Sequence, residues 1–212
     1  PEAVAWSPDG RYLAVGGQQD NEANLSGVLV YPFTGTSFGI AINPNYQHVC
    51  VSLDWSPDGH YLAVAGRDQT IDADENMLVY PFTAGSFGSG LNSGLMKFAK
   101  IVRWNPDGRV LAVGEEINGY YVHMYLFNGA SFNGTIFDAN NSDDVYAAAW
   151  SPDGFYFAYG GYDLDTTHTV RMTPLHMRQS LVPSSLNNQF VLGDSSRGSA
   201  FDVTVQFGGA AA

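Results

Sequence analysis

Four near-copies of one twelve-residue segment constrain this chain more than any other feature. WSPDGRYLAVGG (6–17) returns as WSPDGHYLAVAG (55–66), WNPDGRVLAVGE (104–115) and WSPDGFYFAYGG (150–161), at spacings of 49, 49 and 46 residues. A period of roughly 20–50 residues marks a chain built from one supersecondary unit that cannot bury its apolar faces alone. A second block travels with the first. It reads VLVYPFTGTSFG (28–39), MLVYPFTAGSFG (77–88) and HMYLFNGASFNG (123–134), and erodes to TVRMTPLH (169–176) in the last copy.

Each unit holds the same parts in the same order. An apolar strand ends in Trp, as in AVAW, VSLDW, IVRW and AAAW. Ser-Pro-Asp-Gly then supplies the residues of a tight turn, with Pro presetting φ and Gly taking the left-handed position. A second strand (YLAV, LAV or YFAY), a polar loop and a third strand (LVYPF or MYLF) follow, with Pro32 and Pro81 expected to end the third strand. A short fourth strand is expected around Ser-Phe-Gly. Four short strands per unit without helical periodicity describe an all-β chain, a β-propeller of about four four-stranded antiparallel blades. The expected blades are 1–43, 44–93, 94–140 and an eroded 141–190. Residues 191–212 are expected to be a tail or a closing strand, with QFVLG and SAFDVTVQF as the strand-like stretches and the first blade as the one to be closed. Four blades suffice for a small ring, for a fragment of a larger ring, or for an arc completed by association of chains.

The hairpin WSPDGRYLAVGG is similar to the blade hairpin of WD-repeat proteins and related bacterial propellers with Ser-Pro-Asp-Gly turns. The resemblance spans roughly residues 1 to 175. The chain departs from it in lacking the Gly-His dipeptide and in carrying Tyr-Pro-Phe where WD repeats end their third strand with Trp-Asp. The resemblance implies a scaffold for partner binding.

Composition narrows the partner. Charged residues make up 14% of the chain, lysine occurs only at Lys97 and Lys100, and the net charge is −12. That balance disfavours nucleic acid and anionic membrane surfaces, both of which select clustered Lys and Arg. No apolar run is long enough for a membrane span. A surface of Asn, Ser, Thr, Gly and Tyr suits an extracellular or cell-surface setting. The chain opens inside a repeat without an initiator Met, so the native N-terminus is expected upstream or removed. Cys50 stands alone and reads as a small core residue.

The acidity is lopsided. Connections between second and third strands (18–27, 67–76, 115–122 and 162–169) share a face with the inter-blade connections. Together they hold 13 of the 21 carboxylates, Asp138, Asp143 and Asp144 included. The candidate binding residues are Asp20, Glu22, Asp72, Asp74, Glu75, Glu115, Glu116, Asp163 and Asp165, joined by Tyr120, Tyr121 and Tyr162. Several hard oxygens suit a cationic partner, or Ca²⁺ as the one cofactor considered. Aromatics among amides, Tyr46 with them, suit a glycan or a protein hot spot. No metal site and no catalytic set is expected. GTSFG (35–39) matches a serine-hydrolase pattern, but it recurs as a blade turn with no following helix. The leading expectation is a non-enzymatic interaction or assembly module binding a protein partner or itself through the acidic loop face. Two alternatives are a substrate-filtering propeller of a larger hydrolase or peptidase, and a carbohydrate-binding propeller.

Overall fold

The computed structural model describes residues 1–18, 27–67, 77–92, 94, 98–116, 120–141, 145–161, 169–175 and 201–204. Among the described residues there is no helix, and every sheet is antiparallel. The first sheet is β1 (Ala3–Trp6), β2 (Tyr12–Gly16) and β3 (Val28–Pro32), with an isolated bridge from Val30 to Ile42 standing in for a fourth strand. The second is β4 (Val49–Trp55), β5 (Tyr61–Arg67) and β6 (Met77–Thr83), flanked by the two-residue strands β7 (Ser86–Phe87) and β8 (Leu91–Asn92). The third is β9 (Ala99–Trp104), β10 (Val110–Glu116), β11 (Tyr120–Phe127) and β12 (Phe132–Asn141). The fourth is β13 (Ala147–Trp150), β14 (Tyr156–Gly160), β15 (Thr169–Pro174) and β16 (Phe201–Thr204). The all-β propeller architecture read from the repeats is what the chain adopts, as four blades in succession.

The recurring turn is held by its own side chains. In the first copy Ser7 Oγ donates to Asp9 Oδ1 (2.6 Å) and accepts from the Tyr12 N–H (3.0 Å), while Asp9 accepts from the Arg11 N–H (3.0 Å). The second and fourth copies repeat this with Ser56, Asp58 and Tyr61, and with Ser151, Asp153 and Tyr156. The turn glycines Gly10, Gly59, Gly108 and Gly154 all sit near φ +70°, from +69° to +73°, where a Cβ would be strained. In the third copy Asn105 replaces Ser and donates to the Gly154 carbonyl of the next blade (2.9 Å).

Because side chains alternate along a strand, each blade has two apolar faces. One carries Trp, Leu and Tyr; the other carries small residues, Ala and Val. The Ala-rich face of one blade packs on the Trp-bearing face of the next, three times over. Ala14, Val28 and Val30 meet Leu53, Trp55, Leu62 and Tyr80. Ala63, Ala65 and Met77 meet Val102, Trp104 and Tyr125. Val110, Ala112 and Met124 meet Phe157 and Tyr159, with Trp150 beside them. The first strands lie innermost, β1 against β4, β4 against β9 and β9 against β13. Among the described residues no strand of the fourth sheet packs extensively on the first, so the blades form an open arc.

Three expectations differ in detail. The expected short strand around Ser-Phe-Gly is present in the second blade as β7 against β6 and opens β12 at Phe132 in the third. In the first it is only a Phe33–Phe38 bridge, and in the second Leu91–Asn92 pairs β6 further on. Gly39 and Gly88 donate back to the carbonyls of Pro32 and Pro81, and the chain turns there before pairing resumes. Pro81 does not end its strand, since β6 continues to Thr83. The stretch SAFDVTVQF supplies β16, which pairs with β15 as the outer strand of the fourth sheet and is not added to the first. QFVLG lies outside the described residues.

The same motif residue is therefore buried or exposed according to its blade: Trp55 and Trp104 are 4% and 5% exposed, Trp6 48%. Removing a buried Trp costs about 3–5 kcal/mol. We expect Trp55→Ala to cost about that much in denaturant unfolding of dilute protein, and Trp6→Ala less than half as much. Equal losses would contradict blade-on-blade packing.

Candidate interaction site

The second strands β2, β5, β10 and β14 are equivalent and run the same way, so their C-terminal ends share one edge of the arc. The third strands β3, β6, β11 and β15 begin at that edge, and the inner strands β4, β9 and β13 start there too. At its inner part a cleft of about 280 Å³ is lined by Glu2, Gly66, Phe98, Lys100, Val145 and Tyr146 among others. Phe98 precedes β9 and is 39% exposed; Tyr146 precedes β13 and is 60% exposed. The Lys100 ammonium lies 4.6 Å from the Tyr146 ring centre. Phe98 also holds a left-handed backbone, φ +40°, which is unusual for a bulky side chain. Exposed aromatic rings in a concave site can bury large area with little loss of rotamer freedom.

Of the residues singled out from sequence, Asp20, Glu22, Asp72, Asp74, Glu75, Tyr162, Asp163 and Asp165 lie outside the described residues, as do Asp143 and Asp144. What is described is the edge from which their segments leave. Glu115, Glu116, Tyr120 and Tyr121 are not in a loop: β10 and β11 extend to pair Glu115 with Tyr121 and Glu116 with Tyr120. Asp138 likewise sits in β12, opposite His123. Glu115 is 7% exposed, so it is no free surface carboxylate. Its Oε2 lies 3.4 Å from His123 Nε2, and its Oε1 is buried without a hydrogen-bond partner. The polar letters of EEINGYYV suggested a loop, but alternation along β11 turns Val122 and Met124 into the core and draws the hairpin out. Tyr46 is fully buried, with its ring edge-on to His48 (5.3 Å), and cannot stack on a sugar.

Sequence reasoning also missed a polar seam along the inner strands. The residue before each Trp is Ala5, Asp54, Arg103 or Ala149. The two charged members bind the next blade. Asp54 Oδ2 accepts from the Trp104 N–H (2.7 Å), Arg103 Nε donates to the Ala148 carbonyl (3.2 Å), and Trp150 Nε1 donates to the Arg103 carbonyl (3.1 Å). Ser52 Oγ accepts from the Val102 N–H and from Arg103 Nη1. The signal available was the interruption of VSLDW and IVRW by charge inside an otherwise apolar strand. The turn aspartates Asp9 and Asp153 are held below the usual carboxylate range by their Ser7 and Ser151 hydroxyls. Asp58 is partly buried, which opposes ionisation, yet Ser56 and His60 still lower it.

Among the described residues no three His, Cys, Asp or Glu side chains gather in a way that would hold a metal ion. No helix among them is long and apolar enough to cross a membrane. Ser37 of GTSFG exchanges a hydrogen bond with Thr34 across the exposed hairpin tip.

This succession of antiparallel blades, stacked face on face, defines the arc of a β-propeller. A family model described as WD domain, G-beta repeat matches residues 2–24, 34–71 and 130–165. No curated protein matches it in sequence. Among solved structures it is similar to a putative 6-phosphogluconolactonase from Bacteroides uniformis, with a TM-score of 0.64 and 13% identity, covering 96% of this chain and 55% of that one. Hydrazine synthase from Kuenenia stuttgartiensis gives 0.61 and 15%, covering 82% of this chain and 46% of that one. Sqt1 from Chaetomium thermophilum gives 0.60 and 18%, covering 82% and 42%; it has also been solved bound to the N-terminus of ribosomal protein L10. These likenesses show the fold. The chain spans about half the length of the structures it matches.

Burial pushes the Asp54 carboxyl up from 3.8 to about 6, against the lowering influence of the Trp104 N–H and the Arg103 charge. With the folded pKa above the unfolded one, the folded state keeps the proton longer. The associated stability is full below the unfolded value and is lost as the pH rises through the folded one. Asp54→Asn retains an acceptor for Trp104 and cannot ionise. Between about pH 4 and pH 7 the variant is expected to gain stability on wild type, by up to about 3 kcal/mol in denaturant melts. A difference independent of pH would contradict a buried Asp54.

Proposed function

We propose that this chain is a non-enzymatic protein-interaction module whose loop-bearing edge takes a basic segment of a partner protein. The observation that carries the reading is the placement of exposed Phe98 and Tyr146 in a cleft at that edge. The segments that leave this edge are acidic, 67–76 above all with its four carboxylates, and the chain as a whole carries −12. Rings supply the buried contact area, while acidic segments around them steer a cationic chain and reject anionic ones. The polar residues that recur in every copy support the same view. Ser7, Asp9 and their counterparts are committed to turn hydrogen bonds, which leaves recognition to positions that differ between copies. Sqt1, similar in fold, holds a terminus of a ribosomal protein, so a propeller of this kind can take a protein segment.

The test is a titration of the chain with an Arg-rich peptide and with a Glu-rich peptide of equal length. Binding is expected for the first only, weakening steeply with salt. Phe98→Ala with Tyr146→Ala is expected to cost about 30-fold in affinity. Asp72→Asn, Asp74→Asn and Glu75→Gln together are expected to flatten the salt dependence. Affinity unchanged in both sets of variants would overturn the reading.

A further inference from the structure

Apart from the loop edge, the arc has two ends, and each exposes an apolar face. Open repeat arrays ordinarily finish in repeats with a polar outer face. Here they do not. At the first blade Val4 is 66% and Trp6 48% exposed; at the fourth Tyr156 is 42% and Val170 37% exposed.

Register shows that these two faces are the halves of an interface the chain already makes. In the buried contact between the first and second blades, the Trp-bearing half has rows Trp55–Leu62–Tyr80 and Leu53–Val64–Leu78. The exposed face of the first blade has the same rows, Trp6–Leu13–Tyr31 and Val4–Val15–Leu29. Phe38 stands beside Trp6 there, 51% exposed. The small-residue half of the buried contact has rows Ala5–Ala14–Val30 and Ala3–Gly16–Val28. The exposed face of the fourth blade has Ala149–Ala158–Met172 and Ala147–Gly160–Val170. Only the Val30-to-Met172 exchange alters the chemistry, and both are apolar.

We propose that two copies of this chain associate head to tail, the fourth blade of each docking on the first blade of the other, to close one ring. The occupant of each exposed face is thus a second copy of this chain, because each chain carries both complementary halves. Two arcs of four sheets give a ring of eight blades, at the upper end of the roughly 4–8 seen in propellers. The contact is heterologous, the end of one chain on the start of the other, and it closes because the two arcs are related by a twofold axis. This association does not depend on what the loop edge binds.

Light scattering over a dilution series of the chain tests it. At high concentration the mass is expected to reach twice 22.9 kDa, without growing further. Trp6→Asp and Val170→Asp place a charge on opposite ends, and each is expected to weaken dimerisation about 30-fold or more with circular dichroism unchanged. Mixing the two variants is the distinguishing arm. The mixture retains one unmodified interface, Trp6 of one chain against Val170 of the other, so a heterodimer is expected where neither variant alone pairs. A strict monomer would overturn the proposal. So would loss of the dimer in only one of the two variants, which marks a face-to-same-face contact, or a mass rising without limit, which marks an open fibre.

Discussion

The contact between a Trp-bearing sheet face and an Ala-rich sheet face is what the rest of this structure depends on. Each blade is apolar on both sides, so a blade with only one neighbour leaves an apolar face in water. Stacking resolves this for the second and third blades, where Trp55 and Trp104 are enclosed. Alternation of large and small residues across the contact lets neighbouring sheets approach closely, as interior packing density requires. Gly16 marks how close the approach becomes: a Cβ there would fall on the Cys50 Sγ of the next blade.

A division of labour arises from the repeat. Whatever recurs is structural. In the first, second and fourth turns Ser and Asp hold one another and the strand after them, and the Trp packs on the preceding blade, or is left uncovered where there is none. Whatever varies is available for other uses. Along the inner strands this variation produces Asp54 and Arg103, which replace apolar contact by hydrogen bonds that tie the second, third and fourth blades together. A buried carboxylate is held there at an electrostatic cost, offset by the Trp104 N–H and the guanidinium. Along the loop edge the variation produces acidic segments and two exposed aromatic rings.

The strands ending in Trp, the turns and the order of elements were legible in the sequence, because strand alternation and turn chemistry are local and were written four times. Outer strands were less legible. Their pairing depends on the path of the chain beyond the pivots at Gly39 and Gly88, and nothing in Ser-Phe-Gly itself reveals that the ladder resumes later. Glu115 was misplaced because polarity suggested a loop where the alternation of Val122 and Met124 extends a hairpin. Phe98 and Tyr146 were missed since their exposure comes from the convergence of two inter-blade connections, a tertiary fact. Closed ring and open arc were both compatible with the sequence, because the four Trp residues look alike there and differ only in what covers them.

Those four Trp residues, one per blade, also offer the most direct measurement. In a chain labelled with 5-fluorotryptophan, each ring gives its own fluorine resonance, assigned by single replacement. Exchange of H2O for D2O shifts only rings in contact with solvent. Enclosure between successive blades predicts no solvent shift at Trp55 and Trp104, with Trp6 responding in dilute protein. Solvent shifts at Trp55 or Trp104 as large as that of free 5-fluorotryptophan would contradict the stacking of blade on blade.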